Sequence, residues 1–94
     1  MSDGAWKTAS GPVELFDRKG GWYYVRVPQA ASDELAPLAD RGVIAVDIEL
    51  GTSQWQASLL PYGDGGHFIA LSAPVRRRNE LDVGHQVSVR FRPR

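Results

Sequence analysis

Six arginines follow His67 in a chain of 94 residues, and three of them are consecutive. Arg76, Arg77 and Arg78 open the stretch RRRNELDVGHQVSVRF, and Arg90, Arg92 and Arg94 alternate with apolar residues near its end. Guanidinium groups at this density are suited to binding phosphate or carboxylate. On a helix, successive residues turn by about 100°, so three consecutive arginines fan around the cylinder and do not share one face. Arg76 stands four residues before Glu80 and Arg78 four before Asp82, a spacing that predicts helical ion pairs and leaves only Arg77 without an acid. The sequence places the three in a first helical turn, where positive charge opposes the macrodipole. Arg90 and Arg92 share the outward parity of their strand, opposite Val87, Val89 and Phe91.

A second constellation is aromatic. In WYYVRV, Trp22, Tyr24 and Arg26 fall on one face, and Tyr23, Val25 and Val27 on the other. With the valines in a core, the first set faces outward, where Trp55 and Tyr62 can join it to bind a planar ligand or a peptide. The competing reading is that other segments cover these rings, since a small domain needs its aromatics for stability.

Chemistry of bond making has little footing. His67 shares parity with Ile69 and Leu71, which fits a structural histidine at a strand end, and Ser58 and Ser72 lack a nucleophile elbow. Asp64 in PYGDGG reads as a turn cap. No metal-ligand spacing, cofactor fingerprint or paired-carboxylate arrangement is present in the sequence. The reading is therefore of no enzyme, no metal and no cofactor.

The elements that must position these residues are mostly strands. VELF, WYYVRV, VIAVDIEL, WQASLL, HFIAL and HQVSVRF are rich in β-branched and aromatic residues with partial alternation. Lys19-Gly20-Gly21, Gly51-Thr52-Ser53 and Pro61 to Gly66 have turn composition. Pro28 to Leu38 and Pro74 to Leu81 lack it and predict short helices, the first with Ser32 as its N-cap. Each helix follows a strand ending near proline and precedes a glycine (Gly42, Gly84) and another strand, a duplicated unit. The predicted fold is mainly β: one closed or split barrel of six to seven strands with two short helices. It spans residues 12–94 behind a flexible, polar segment over 1–11.

Eleven basic and eleven acidic residues cancel, so no global field attracts polyanions. Their distribution is uneven: residues 22–66 hold two bases and six acids (2 − 6 = −4), and residues 67–94 hold six bases and two acids (6 − 2 = +4). An acidic half weighs against DNA and allows contact between the acidic half of one molecule and the basic half of another. The absence of cysteine, of an apolar leader and of any stretch approaching about 20 apolar residues predicts a soluble cytoplasmic protein.

WYYVRVP, GVIAVDIELGTSQWQASLLPYGDGGHFIAL and VRRRNELDVGHQVSV together resemble a small bacterial β-barrel family of unknown function, found beside or fused to the OmpD-associated bacteriocin-protection domain. The likeness covers Val13 to Phe91 and departs at Gly84-His85, where that family has Gly-Asp. It implies a double-split barrel shaped like AbrB-type transcription factors and carries no established activity. The function expected is a binding module for a partner protein or a small ligand at a barrel mouth, as a monomer or weak homodimer. The alternatives are a weak nucleic-acid binder and an unrecognised enzyme.

Overall fold

The computed structural model describes residues 5–16 and 21–94. Seven strands and two helices follow in the order β1 (Lys7–Pro12), β2 (Glu14–Phe16), β3 (Trp22–Arg26), α1 (Gln29–Leu35), β4 (Ile44–Leu50), β5 (Ser53–Pro61), β6 (His67–Ala70), α2 (Ala73–Arg78) and β7 (Gln86–Pro93). A 3-10 turn over Ala36–Leu38 extends α1. All pairings are antiparallel, in the spatial order β1-β7-β4-β5-β6-β3-β2. The result is a half-barrel, mainly β with two short helices, as the sequence predicts. No helix among the described residues is long and apolar enough to cross a membrane.

Alternation decides which way each strand faces. On β4, Ile44, Val46, Ile48 and Leu50 are buried while Ala45, Asp47 and Glu49 are not, and on β7, Val87, Val89 and Phe91 are buried. With Val25, Val27, Leu59 and Ile69 they fill the concave side of the curled sheet. Leu35 of α1 closes the core at one end.

The sheet begins earlier than expected. All of β1 but Pro12 falls within the segment the sequence assigns to a flexible lead-in, yet it pairs with β7 over six positions from Lys7–Phe91 to Pro12–Gln86, and Ala9 is fully buried. KTASGP has no β-branched run beyond Thr8, so what makes it a strand is the main-chain edge offered by β7. Val13 alone separates β1 from β2, and it exchanges backbone hydrogen bonds with the loop before β7: Val13 N–H donates to His85 O (2.9 Å) and Gly84 N–H donates to Val13 O (2.8 Å). One bent strand thus joins both ends of the sheet, with β1 on β7 and β2 on β3.

The duplicated unit is visible as pairing. Pro28 and Pro74 lie 46 positions apart (74 − 28), and Tyr24 sits opposite Ala70, also 46 apart (70 − 24). Gly42 and Gly84 lie 42 apart (84 − 42), bracketed by the pairs Ile48–Phe91 at 43 and Glu49–Arg90 at 41. Equivalent strands of the two units therefore pair with each other about a pseudo-twofold axis. The turn Lys19-Gly20-Gly21 lies largely outside the described residues. Gly51-Thr52 forms the predicted tight hairpin, between Leu50 and Ser53.

Both helices start before the positions assigned from sequence. α1 begins after Pro28, with no side-chain cap, so Ser32 is an interior residue, 1% exposed. α2 begins at Ala73, so Arg76, Arg77 and Arg78 occupy its last turn rather than its first. There they complement the macrodipole instead of opposing it.

Candidate functional site

Three sets of residues draw the predicted site apart. The first is an aromatic cluster on the convex side of β2, β3 and β6. Phe16 stacks on Tyr24 at 4.3 Å between ring centroids, and Phe68 meets both edge-on at 5.2 and 5.3 Å. Tyr62 closes over them from the β5–β6 loop. Tyr24 does point away from the main core, as its parity requires, but it is 3% exposed and unavailable to a ligand. Its hydroxyl meets Tyr62 Oη at 3.0 Å and donates to Glu14 at 3.4 Å. Burial first, then these two neighbours, push its pKa well above the ordinary phenol value.

Arg26 lies 3.8 Å over the Tyr62 ring and pairs with Asp64. Asp64 also accepts the Gly66 N–H at 2.9 Å, the turn-capping role read from its sequence. That backbone bond first, and the Arg26 guanidinium second, hold its carboxyl below the usual carboxylate range, while the bond to Asp64 raises Arg26. Asp64 and Arg26 thus serve to fasten the loop over the cluster.

The second set lies on β4 and β7. Arg90 pairs with Glu49 at 2.9 Å and Arg92 with Asp47 at 3.3 Å, while Arg94 Nε comes within 4.0 Å of Asp47. Pairing of β4 with β7 sets the acidic strand beside the basic one, so part of the uneven charge is met within the chain. Trp6 lies against Arg90 and Arg92 at 4.7 and 4.6 Å, a partner the sequence gives no signal for.

The third set surrounds a groove of about 440 Å³. β5 pairs with β4 from Ser53 to Leu59, but with β6 only at Leu60–Phe68 and Pro61–His67. Below Leu60 the two strands diverge, and the gap is lined by Trp22, Tyr23, Trp55, Ala57, Leu71 and Arg76. Trp22 is 50% exposed at its rim. Arg76 stacks on Tyr23 with its guanidinium carbon 3.6 Å from the ring centroid. Its Nη1 is shut away from solvent and has no hydrogen-bond partner among the described residues.

The predicted pairs of Arg76 with Glu80 and Arg78 with Asp82 do not form. α2 ends at Arg78 and Glu80 turns to a positive φ of 54°, which breaks the four-residue spacing. Among the described residues no carboxylate lies within ion-pair distance of Arg76, Arg77 or Arg78.

His67 belongs to none of these sets. It is 7% exposed, its Nε2 donates to Gly42 O at 3.0 Å, and its Nδ1 is buried without a partner among the described residues. No hydrogen bond ties it to Ser58 or Ser72 among the described residues. The structure therefore brings together Trp22, Trp55 and Arg76, then Tyr24, Arg26, Tyr62 and Asp64, and then Arg90 and Arg92, and two rings link the sets: Trp22 meets Phe68 edge-on at 6.5 Å, and Trp55 also lines a second groove of about 450 Å³ with Trp6 and Arg92. Tyr23, absent from the predicted set because it shares the core face, is the ring on which Arg76 rests.

In comparison with known proteins, a family model described as "Domain of unknown function (DUF1905)" matches residues 10–91. No curated protein matches the chain.

Proposed function

Because the chain belongs to the family described as Domain of unknown function (DUF1905), which supplies no activity, we propose from the geometry that it is a non-catalytic binding module whose ligand occupies the split between β5 and β6. The observation that carries this reading is Arg76: a guanidinium in an aromatic-lined groove, with one nitrogen buried and without a hydrogen-bond partner among the described residues. Leaving a buried charged donor unmade is costly, and an anionic ligand supplies the missing acceptor. The groove's volume falls in the range of sites for small organic molecules, and Trp22 and Trp55 offer apolar rings to the ligand's body. An anion with an apolar body is the class that fits.

The remaining basic residues favour a local anion over a long polyanion, since Arg90, Arg92 and Arg94 face Asp47 and Glu49. The finer placement in a bacterial cytoplasm, beside a bacteriocin-protection partner and with an AbrB-like double-split shape, rests on the sequence resemblance. The pseudo-twofold pairing of the two units supports the last of these.

The test uses 1-anilinonaphthalene-8-sulfonate, an amphiphilic organic anion, with the folded chain at neutral pH. Saturable fluorescence enhancement with a single site is expected, weakened at least tenfold in Arg76→Met while the thermal transition is kept. Enhancement that is absent, or unchanged in Arg76→Met, overturns the reading.

A further inference from the structure

The wall of this groove is a strand with an open edge. From Ser53 to Leu59, β5 has a main-chain partner in β4 and, among the described residues, none on its other side, because pairing with β6 stops at Leu60. Across the β5–β6 hairpin, Tyr62 N–H donates to Gly66 O, so even-numbered residues turn their backbone groups toward the β6 side. By the same alternation, Gln54, Gln56 and Ser58 present N–H and C=O to the gap. Exposed strand edges of this kind are either blunted or used as templates for another strand. Here the edge has no proline between Ser53 and Leu60 and no lysine or other charged side chain there to discourage pairing.

Opposite that edge stands α2. Pro74, Val75 and Arg78 face Ser53 to Trp55, and Ala73 and Arg76 face Trp55 and Ala57. One wall of the groove is thus an open β edge, and the other is a short helix carrying three arginines without ion-pair partners among the described residues. Between Ser53, which Asn79 ties to the end of α2, and Leu59, the edge from Gln54 to Ser58 is five residues long, roughly 17 Å, enough for a peptide segment to run beside β5 with alternate side chains against Trp55 and Ala57.

We infer that the groove docks an extended acidic peptide segment of a partner protein, which adds as a strand to the free edge of β5 and sets a carboxylate against Arg76. This deepens the binding-module reading and rests on it. Main-chain hydrogen bonds supply the pairing, the tryptophans accept alternate apolar side chains, and charge complementarity with Arg76, Arg77 and Arg78 selects the acid.

The experiment selects random heptapeptides displayed on phage against the immobilised full chain, then measures synthetic peptides of the enriched sequence. Enrichment of a Glu or Asp among alternating apolar or β-branched residues is expected. Methylating the peptide's backbone nitrogens one at a time should weaken binding at least tenfold at every second position and little between, the signature of a strand pairing along one edge. Arg76→Met in the domain and acid-to-amide exchange in the peptide should each weaken binding about tenfold, with the two changes together no worse than one. Enriched peptides without an acid, or a methylation profile without period two, overturn the inference. If no peptide is enriched while 1-anilinonaphthalene-8-sulfonate still binds through Arg76, the peptide inference falls and the binding module stands; if neither binds, both fall.

Discussion

Tyr24 shows how far a side chain's role departs from its orientation. Alternation sends it outward, and Phe16, Tyr62 and Phe68 then cover it, so a residue assigned to recognition is a residue of a second core. Its raised pKa means that the folded state favours the protonated phenol. The stability it contributes is complete below the unfolded value of about 10 and is lost as pH rises through the higher folded value. In an alkaline absorbance titration, Tyr24→Phe should remove the last-ionising phenol and lessen the loss of stability at high pH. Asp64 has the opposite sign. Its lowered pKa places its contribution above the unfolded value of about 3.9, to be lost as pH falls through the lower folded value. Acid melts of Asp64→Asn should therefore show a weaker pH dependence below about pH 4 than the parent. Trp22 and Tyr24 of WYYVRV are legible as a surface of one parity; which ring covers which is not, because Phe16 and Tyr62 arrive from other elements.

Elements are where the sequence speaks most clearly, and where it fails the reasons are local. Six strands follow from β-branched and aromatic runs, but β1 is written in small and polar residues and exists through its pairing with β7. The sequence puts the arginines of α2 in its first turn because Pro74 reads as a boundary, whereas proline is tolerated within the first turn of a helix that starts at Ala73. No sequence spacing reveals that the β4–β5 hairpin touches the end of α2. Gly51 has φ 59°, and a Cβ there would stand 2.6 Å from Asn79 Oδ1. Asn79 itself donates through Nδ2 to Val75 O and Ser53 Oγ, so it cannot swing away freely. Gly51→Ala should cost about 1–3 kcal/mol in urea unfolding. Combined with Asn79→Ala, it should cost less than the two single changes together, since the second removes the clash.

At the scale of the molecule, charge and topology agree. The acidic and basic halves meet along β4 and β7, so an imbalance visible in the sequence is in part an internal complementarity, and the arginines after His67 that have no ion-pair partner among the described residues gather on α2 beside the groove. The N-terminal strand is integral to this arrangement. Deleting residues 1–12 removes six paired positions and uncovers Val89, and should lower stability by about 3 kcal/mol or more, or roughly 15 °C in Tm; a truncated chain that melts like the parent would refute a structural role for β1. The join at Val13 also orders events in time. Lys7 to Pro12 are made well before their partners at Gln86 to Phe91. The half-barrel therefore cannot secure β1 until β7 has been synthesised, and a ribosome stalled before β7 should carry a nascent chain whose β1 segment is still open to proteases.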